Sequence, residues 1–188
     1  MMPLNATEHL ERQGAALHLF LADVQALRRH PAPALRHRPA LGAWNALECL
    51  AHLNLTADVY LPNIAAVLDR APRHADVPPF RPSRLVQRVA DGLAPIGPNR
   101  RIRFPMPALP SLRPRGVDER SAGAVIDDCL ARHRMLLYLL VRAREVDLNR
   151  GRVDSVVGPL VRFRLGDVFP FLTAHAQRHL LQAERAVT

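Results

Sequence analysis

The chain contains no lysine. Its positive side chains are 26 arginines set against 17 acidic residues, for a formal net charge of +9. Such exclusive use of one basic residue reads as a coding bias more than as a selected binding surface. Cysteine is nearly absent too: Cys49 and Cys129 are too few and too widely spaced for a disulfide framework or a zinc knuckle, so both are read as reduced. Cys129 reads as core packing. Cys49, three residues before His52, reads the same way, with a redox or ligand role as the alternative. Apolar runs are broken by Arg, His, Asp or Pro well short of the about 18 residues that a membrane span requires. No basic and apolar leader opens the chain, which predicts a cytoplasmic protein with no membrane partner. A glycine-rich nucleotide loop, a Ser/His/Asp arrangement and an aspartate-rich cation loop are also missing. Hydride transfer, phosphoryl transfer and serine hydrolysis therefore have no support.

What is present is helical periodicity. The 188 residues with 48% hydrophobic content suit a single domain covering residues 1–188. Leu10, Leu17, Phe20, Leu21, Val24 and Leu27 recur at helical spacing, with Asn5 or Thr7 as N-cap and Pro31 as the stop. A longer second helix is predicted from Leu41 to Asp69, with Pro62 as a tolerated kink. It is poor in charge: Glu48 and Asp58 are its only charged residues before Asp69, which predicts coverage on most sides and, through a second subunit, a homodimer. Asn45, Glu48, His52, Thr56 and Asn63 form one polar stripe on it. A short helix is predicted from Ser83 to Asp91. Between residues 71 and 115 stand nine arginines against Asp76 and Asp91, together with ten of the 17 prolines, so this stretch reads as a stiff crossover over the bundle. Asp118 or Ser121 opens the third helix, running to about Glu145, with His133 on its apolar stripe as a core residue. Residues 149–164 read as irregular or extended. Asp167 is predicted to cap the fourth helix, which tolerates Pro170 in its first turn and continues to about Ala186. The fold class is all-α, a four-helix bundle whose second and third helices are joined by a long Pro/Arg-rich crossover.

Three of the nine histidines carry the chemistry. His52 lies on the second helix, and His175 and His179 stand one turn apart on the inward stripe of the fourth, with the arginines of that helix assigned to its opposite side. Buried imidazoles are held neutral, and neutral imidazoles are the commonest metal ligands. Three of them leave a divalent ion with open positions for water or substrate.

The stretches WNALECLAHL from Trp44, LGDVF from Leu165 and HAQRHL from His175 resemble the DinB-like metal-binding superfamily, and the resemblance spans most of the chain. It implies that His52, His175 and His179 ligate one divalent metal inside a four-helix bundle. Zinc is the expected metal and nickel its rival. It also implies a thiol S-transferase, using a low-molecular-weight thiol of the bacillithiol, mycothiol or glutathione type against an electrophilic substrate. The alternatives are a metal-dependent hydrolase, a non-catalytic metal-binding stress protein and a nucleic-acid-binding protein. Glu48, one turn before His52, is the candidate general base, and Gln182 a weaker supporting group. Arg100, Arg101 and Arg103 are candidates for binding a thiol's carboxylates. The nucleic-acid reading rests on Phe80 and Phe104 interleaved with the crossover arginines, without any helix-turn-helix, zinc-finger or RNA-binding signature.

Overall fold

Apolar residues at helical spacing need partners, and the computed structural model, which describes residues 2–95, 107–156 and 158–188, shows where each stripe finds one. Its long helices are α1 (Ala6–Ala26), α3 (Ala46–Arg70), α5 (Ala122–Arg142) and α6 (Leu165–Ala186), with α2 (Ala32–Leu35) and α4 (Arg84–Leu93) as short additions. Helix α3 packs on α5 and α6, α1 packs on the same two helices, and α4 lies against α6. The chain is thus mostly helical, but not wholly so: residues 152–164 form an antiparallel hairpin of β1 (Arg152–Ser155) and β2 (Gly158–Arg164). Only Val153 and Phe163 in its paired positions are apolar and face one another, so the alternation is too short to stand out in the sequence.

The helix ends follow local chemistry. Asn5 caps α1 by accepting from Glu8 N, and Ser121 caps α5 through Ala124 N, which resolves both choices of cap. Helix α3 begins at Ala46 rather than Leu41, because Asn45 and Glu48 make a reciprocal capping box, each side chain accepting the other's backbone N–H. Asn45 is therefore the cap of the predicted polar stripe, and half-buried Asn63 stands outside its buried part. Helix α3 is largely buried within this one chain, which already accounts for its poverty in charge.

Asp167 does not cap α6. The helix starts two residues earlier with Arg164 at its N-cap and no side-chain cap bond, while Asp167 is buried and accepts a 2.9 Å bond from Ser83 N. It ties the start of α4 to the start of α6, and its negative charge still sits in the first turn, where the helix dipole favours it. Pro170 lies inside the helix and has no N–H to give to the carbonyl four residues back. That carbonyl belongs to buried Gly166, and His9 Nε2 on α1 donates to it at 3.0 Å. A proline in one helix is thus compensated by a histidine in another.

The core falls into two large apolar groups and a small one of Ala90, Leu93 and Ala174 where α4 meets α6. One large group gathers Phe20, Val24, Leu47, Leu50, Ile126 and Leu180; the other gathers Leu10, Tyr60, Ile64, Leu139, Val168 and Phe169. Buried His52, Thr56, His133, Thr173 and His179 belong to none of these groups and lie on α3, α5 and α6. Phe80 is completely buried in the second group, its ring against Gly166, and is not available to stack on a base. Arg100, Arg101, Arg103 and Phe104 lie outside the described residues. No helix among the described residues is long and apolar enough to cross a membrane.

The Pro170 arrangement predicts non-additive stability. His9→Ala leaves the Gly166 carbonyl buried without a donor and is expected to cost about 1–3 kcal/mol in urea unfolding. In a Pro170→Ala background the restored backbone N–H reaches Gly166, and His9→Ala is expected to cost at least about 1 kcal/mol less. Additive losses would show that the two groups do not share that carbonyl.

Candidate metal centre

Helix α3 carries His52 to the centre of the molecule because its stripe places Leu53 and Cys49 in the apolar core beside it. Helix α6 brings His175 and His179 to the same point. One donor nitrogen from each of the three rings can be chosen so that all lie within 4.8 Å of one another. His52 Nε2 and His175 Nε2 are 3.1 Å apart, close to the roughly 3.3 Å that separates two nitrogens bound tetrahedrally to one zinc ion. The predicted ligands therefore converge.

The tautomer of His52 follows from its other nitrogen. Nδ1 is 2.7 Å from the Leu112 carbonyl, which only accepts, so Nδ1 carries the proton and the Nε2 lone pair faces His175. Backbone carbonyls commonly orient metal-binding histidines this way. The carbonyl comes from a 3-10 turn, Pro110–Leu112, in the proline-rich connection. His179 Nδ1 is buried with no hydrogen-bond partner, and so is Gln182 Oε1, one turn further along α6. A buried imidazole nitrogen left in that condition is costly. Three neutral imidazoles with converging nitrogens are a donor set that suits zinc, nickel, iron or copper.

Electrostatics holds all three rings neutral. Burial pushes His52 below the ordinary histidine range, and burial together with the neighbouring His52 and Arg178 pushes His175 down to about 3. His179 is lowered well below its usual value, first by burial and then by His175. Aromatic rings wall the group: Trp44 lies 5.0 Å from His52 and 5.9 Å from His179 between ring centroids, and Phe171 stacks on His175.

The remaining candidates are placed as follows. Glu48 is nearly buried, with Oε2 accepting from Asn45 N at 2.9 Å and Oε1 paired with Arg38. His133 is a core residue: its Nδ1 donates to Cys129 O at 2.8 Å, its ring packs on Phe20, and burial pushes it down to about 4. Cys49 and Cys129 are both buried, the Cys49 thiol pushed up to about 12 and Cys129 raised further, mainly by desolvation. The Leu112 carbonyl is not legible in a sequence, since any residue could supply it. Arg178 could have been found. The sequence pattern puts it on the outer side of α6, yet it is 3% exposed and shares the wall of the cavity beside the histidines. Its position three residues after His175 puts it on the flank of the same stripe.

That cavity has a volume of about 1030 Å³, and His52, His175 and His179 all line it, with Trp44, Tyr60, Thr56 and Phe171. Comparison with known proteins gives one finding: a family model described as the DinB superfamily matches residues 9–183. No curated protein and no solved structure matches the chain.

Two expectations follow. Purified protein dialysed against zinc should retain one ion per chain by elemental analysis, and His52→Ala should lose it while keeping its helical circular dichroism; retention in the variant would remove His52 from the ligand set. The second concerns pH. His133 prefers to be neutral in the folded state, so its contribution to stability is full above pH 6.5 and is lost as pH falls from there toward 4, about 3 kcal/mol over the window. Urea midpoints of metal-free protein at pH 7 and pH 4.5 should therefore converge in His133→Gln relative to wild type; an equal acid loss in both would assign it to other groups.

Proposed function

The chain belongs to the DinB superfamily, and from that premise we propose that it is a metal-dependent thiol S-transferase, its four long helices forming the bundle that holds the site. One observation carries the reading: three neutral imidazoles converge at the wall of a cavity large enough for two small reactants. Zinc is the metal that this donor set favours under ordinary availability, with nickel as the rival. Bound there, the cation supplies a Lewis acid that lowers the pKa of a thiol brought beside it.

The protein's own contribution is positional. Leu112 fixes His52, Trp44 and Phe171 shield the rings from water, and the apolar wall accepts the body of the electrophile. The thiolate sulfur forms a bond to the electrophilic carbon, the leaving group departs with its electron pair, and the thiol proton passes to solvent through the cavity mouth. Neither cysteine of the chain suits this role, since both are buried with raised pKa, so the sulfur must arrive as a small molecule. Glu48 is assigned to holding the start of α3, and through it His52; service as general base would require its pair with Arg38 to open. Gln182 beside His179 is assigned to steering that ring or the incoming thiol. A cytoplasmic setting, where thiols stay reduced, suits the activity. A homodimer, if it forms, has the exposed α5 face of Met135, Tyr138 and Val141 to cover rather than α3.

The test is conjugation of glutathione, bacillithiol and mycothiol to 1-chloro-2,4-dinitrobenzene at pH 7, with zinc-loaded and nickel-loaded protein. A thiol with pKa about 8.5 is only a few per cent ionised at that pH, so full ionisation alone is worth about 30-fold. We expect at least that acceleration with one of the thiols, lost in His52→Ala and on chelation. Equal rates for loaded wild type and His52→Ala with all three thiols would overturn the proposal.

A further inference from the structure

The wall of the cavity beside the histidines carries charge of one sign. Arg113, Arg162, Arg178 and Arg185 line it, and among the described residues no aspartate or glutamate does. Arg162 is shared with Asp154, 2.8 Å away, whose carboxylate stands outside the wall. Arg113 and Arg185 are exposed, while Arg178 is almost fully buried and projects from α6 next to His179. Burial of a guanidinium is costly unless it is paired with an anion. Its planar fork is best satisfied by a two-oxygen anion. The lining also has an apolar part, with Leu85, Val86, Val89 and Leu93 from α4 and Phe163 and Phe171 from the hairpin and α6. The volume of about 1030 Å³ is at the upper end for small-molecule sites, so it takes a drug-sized body rather than a bare ion.

We infer that the cavity binds an organic anion with an apolar body, its carboxylate held by Arg178 and the arginines at the rim and its body lying along α4. This rests on reading the cavity as the substrate site of the proposed metal centre, and it names the class of that substrate. An organic cation of the same body meets four guanidinium groups and, among the described residues, no carboxylate in the lining. A polar carboxylate such as glutathione satisfies the arginines but leaves the α4 face uncovered.

Trp44 is the only tryptophan in the chain and lines the cavity, so its fluorescence reports occupation directly. Metal-free full-length protein is titrated with decanoate, decyltrimethylammonium and glutathione, and the decanoate titration is repeated after zinc loading. Decanoate is expected to give a saturable change with or without zinc, at least about tenfold tighter than either of the other probes. Arg178→Gln is expected to weaken decanoate at least about tenfold; should that variant fail to fold, the surface pair Arg113→Gln and Arg185→Gln in one chain decides, with a loss of the same size expected. Equal binding of decanoate and decyltrimethylammonium, glutathione binding as tight as decanoate, or decanoate affinity unchanged in the folded variants would each overturn the inference. Because the probes are read without metal, a protein that takes no zinc would remove the metal reading while leaving the anion result to stand or fall alone.

Discussion

The whole arrangement depends on a hydrogen bond between His52 Nδ1 and the Leu112 carbonyl. A neutral imidazole has one donor and one acceptor, and by taking the donor this carbonyl leaves the lone pair facing His175. Without it the ring is free to turn its N–H inward, and a protonated nitrogen has no lone pair to offer a metal. Burial then keeps all three rings uncharged, and a proton on His175 or His179 would in addition place a cation beside Arg178.

That bond also gives the long connection between α3 and α5 a purpose. The turn Pro110–Leu112 is packed against α3, and Arg36 from the α1–α3 connection holds the following segment through Val117 O and Arg120 O. Prolines on either side reduce the freedom the chain loses in placing one carbonyl accurately. At the other end of the connection, Asp167 fixes Ser83 and with it the start of α4, which supplies the apolar side of the cavity. The site is thus assembled from α3, α6 and the described parts of the connection between α3 and α5.

The four long helices and three converging histidines were legible because periodicity and side-chain direction are local properties of a helix. The limits of legibility are equally physical. Leu41–Asn45 carries the right apolar spacing, but a reciprocal cap at Asn45 and Glu48 ends the competition for the helix start. Asp167 has the right residue type for a cap and the right place for one, yet a backbone N–H from 84 positions away claims it. The hairpin at 152–164 is held by packing on α3 and α6, a tertiary effect that a seven-residue alternation cannot announce. Glu48 looked like chemistry because it stands one turn before His52, but its place three residues after Asn45 is what makes it a capping residue.

Arg178 sharpens the electrostatic argument. A buried guanidinium next to three imidazoles opposes any further positive charge, so a divalent cation bound there is held against repulsion as well as by its ligands. The opposition is relieved when anions enter: a thiolate and a carboxylate together offset two of the three positive charges carried by a divalent ion and the guanidinium. The site is then expected to prefer its ligands in their ionised forms, which is the direction that deprotonates a thiol. On this reading the arginine beside the histidines weakens the empty centre in order to strengthen the loaded one, and selectivity for anions follows from the same charges that prepare the sulfur.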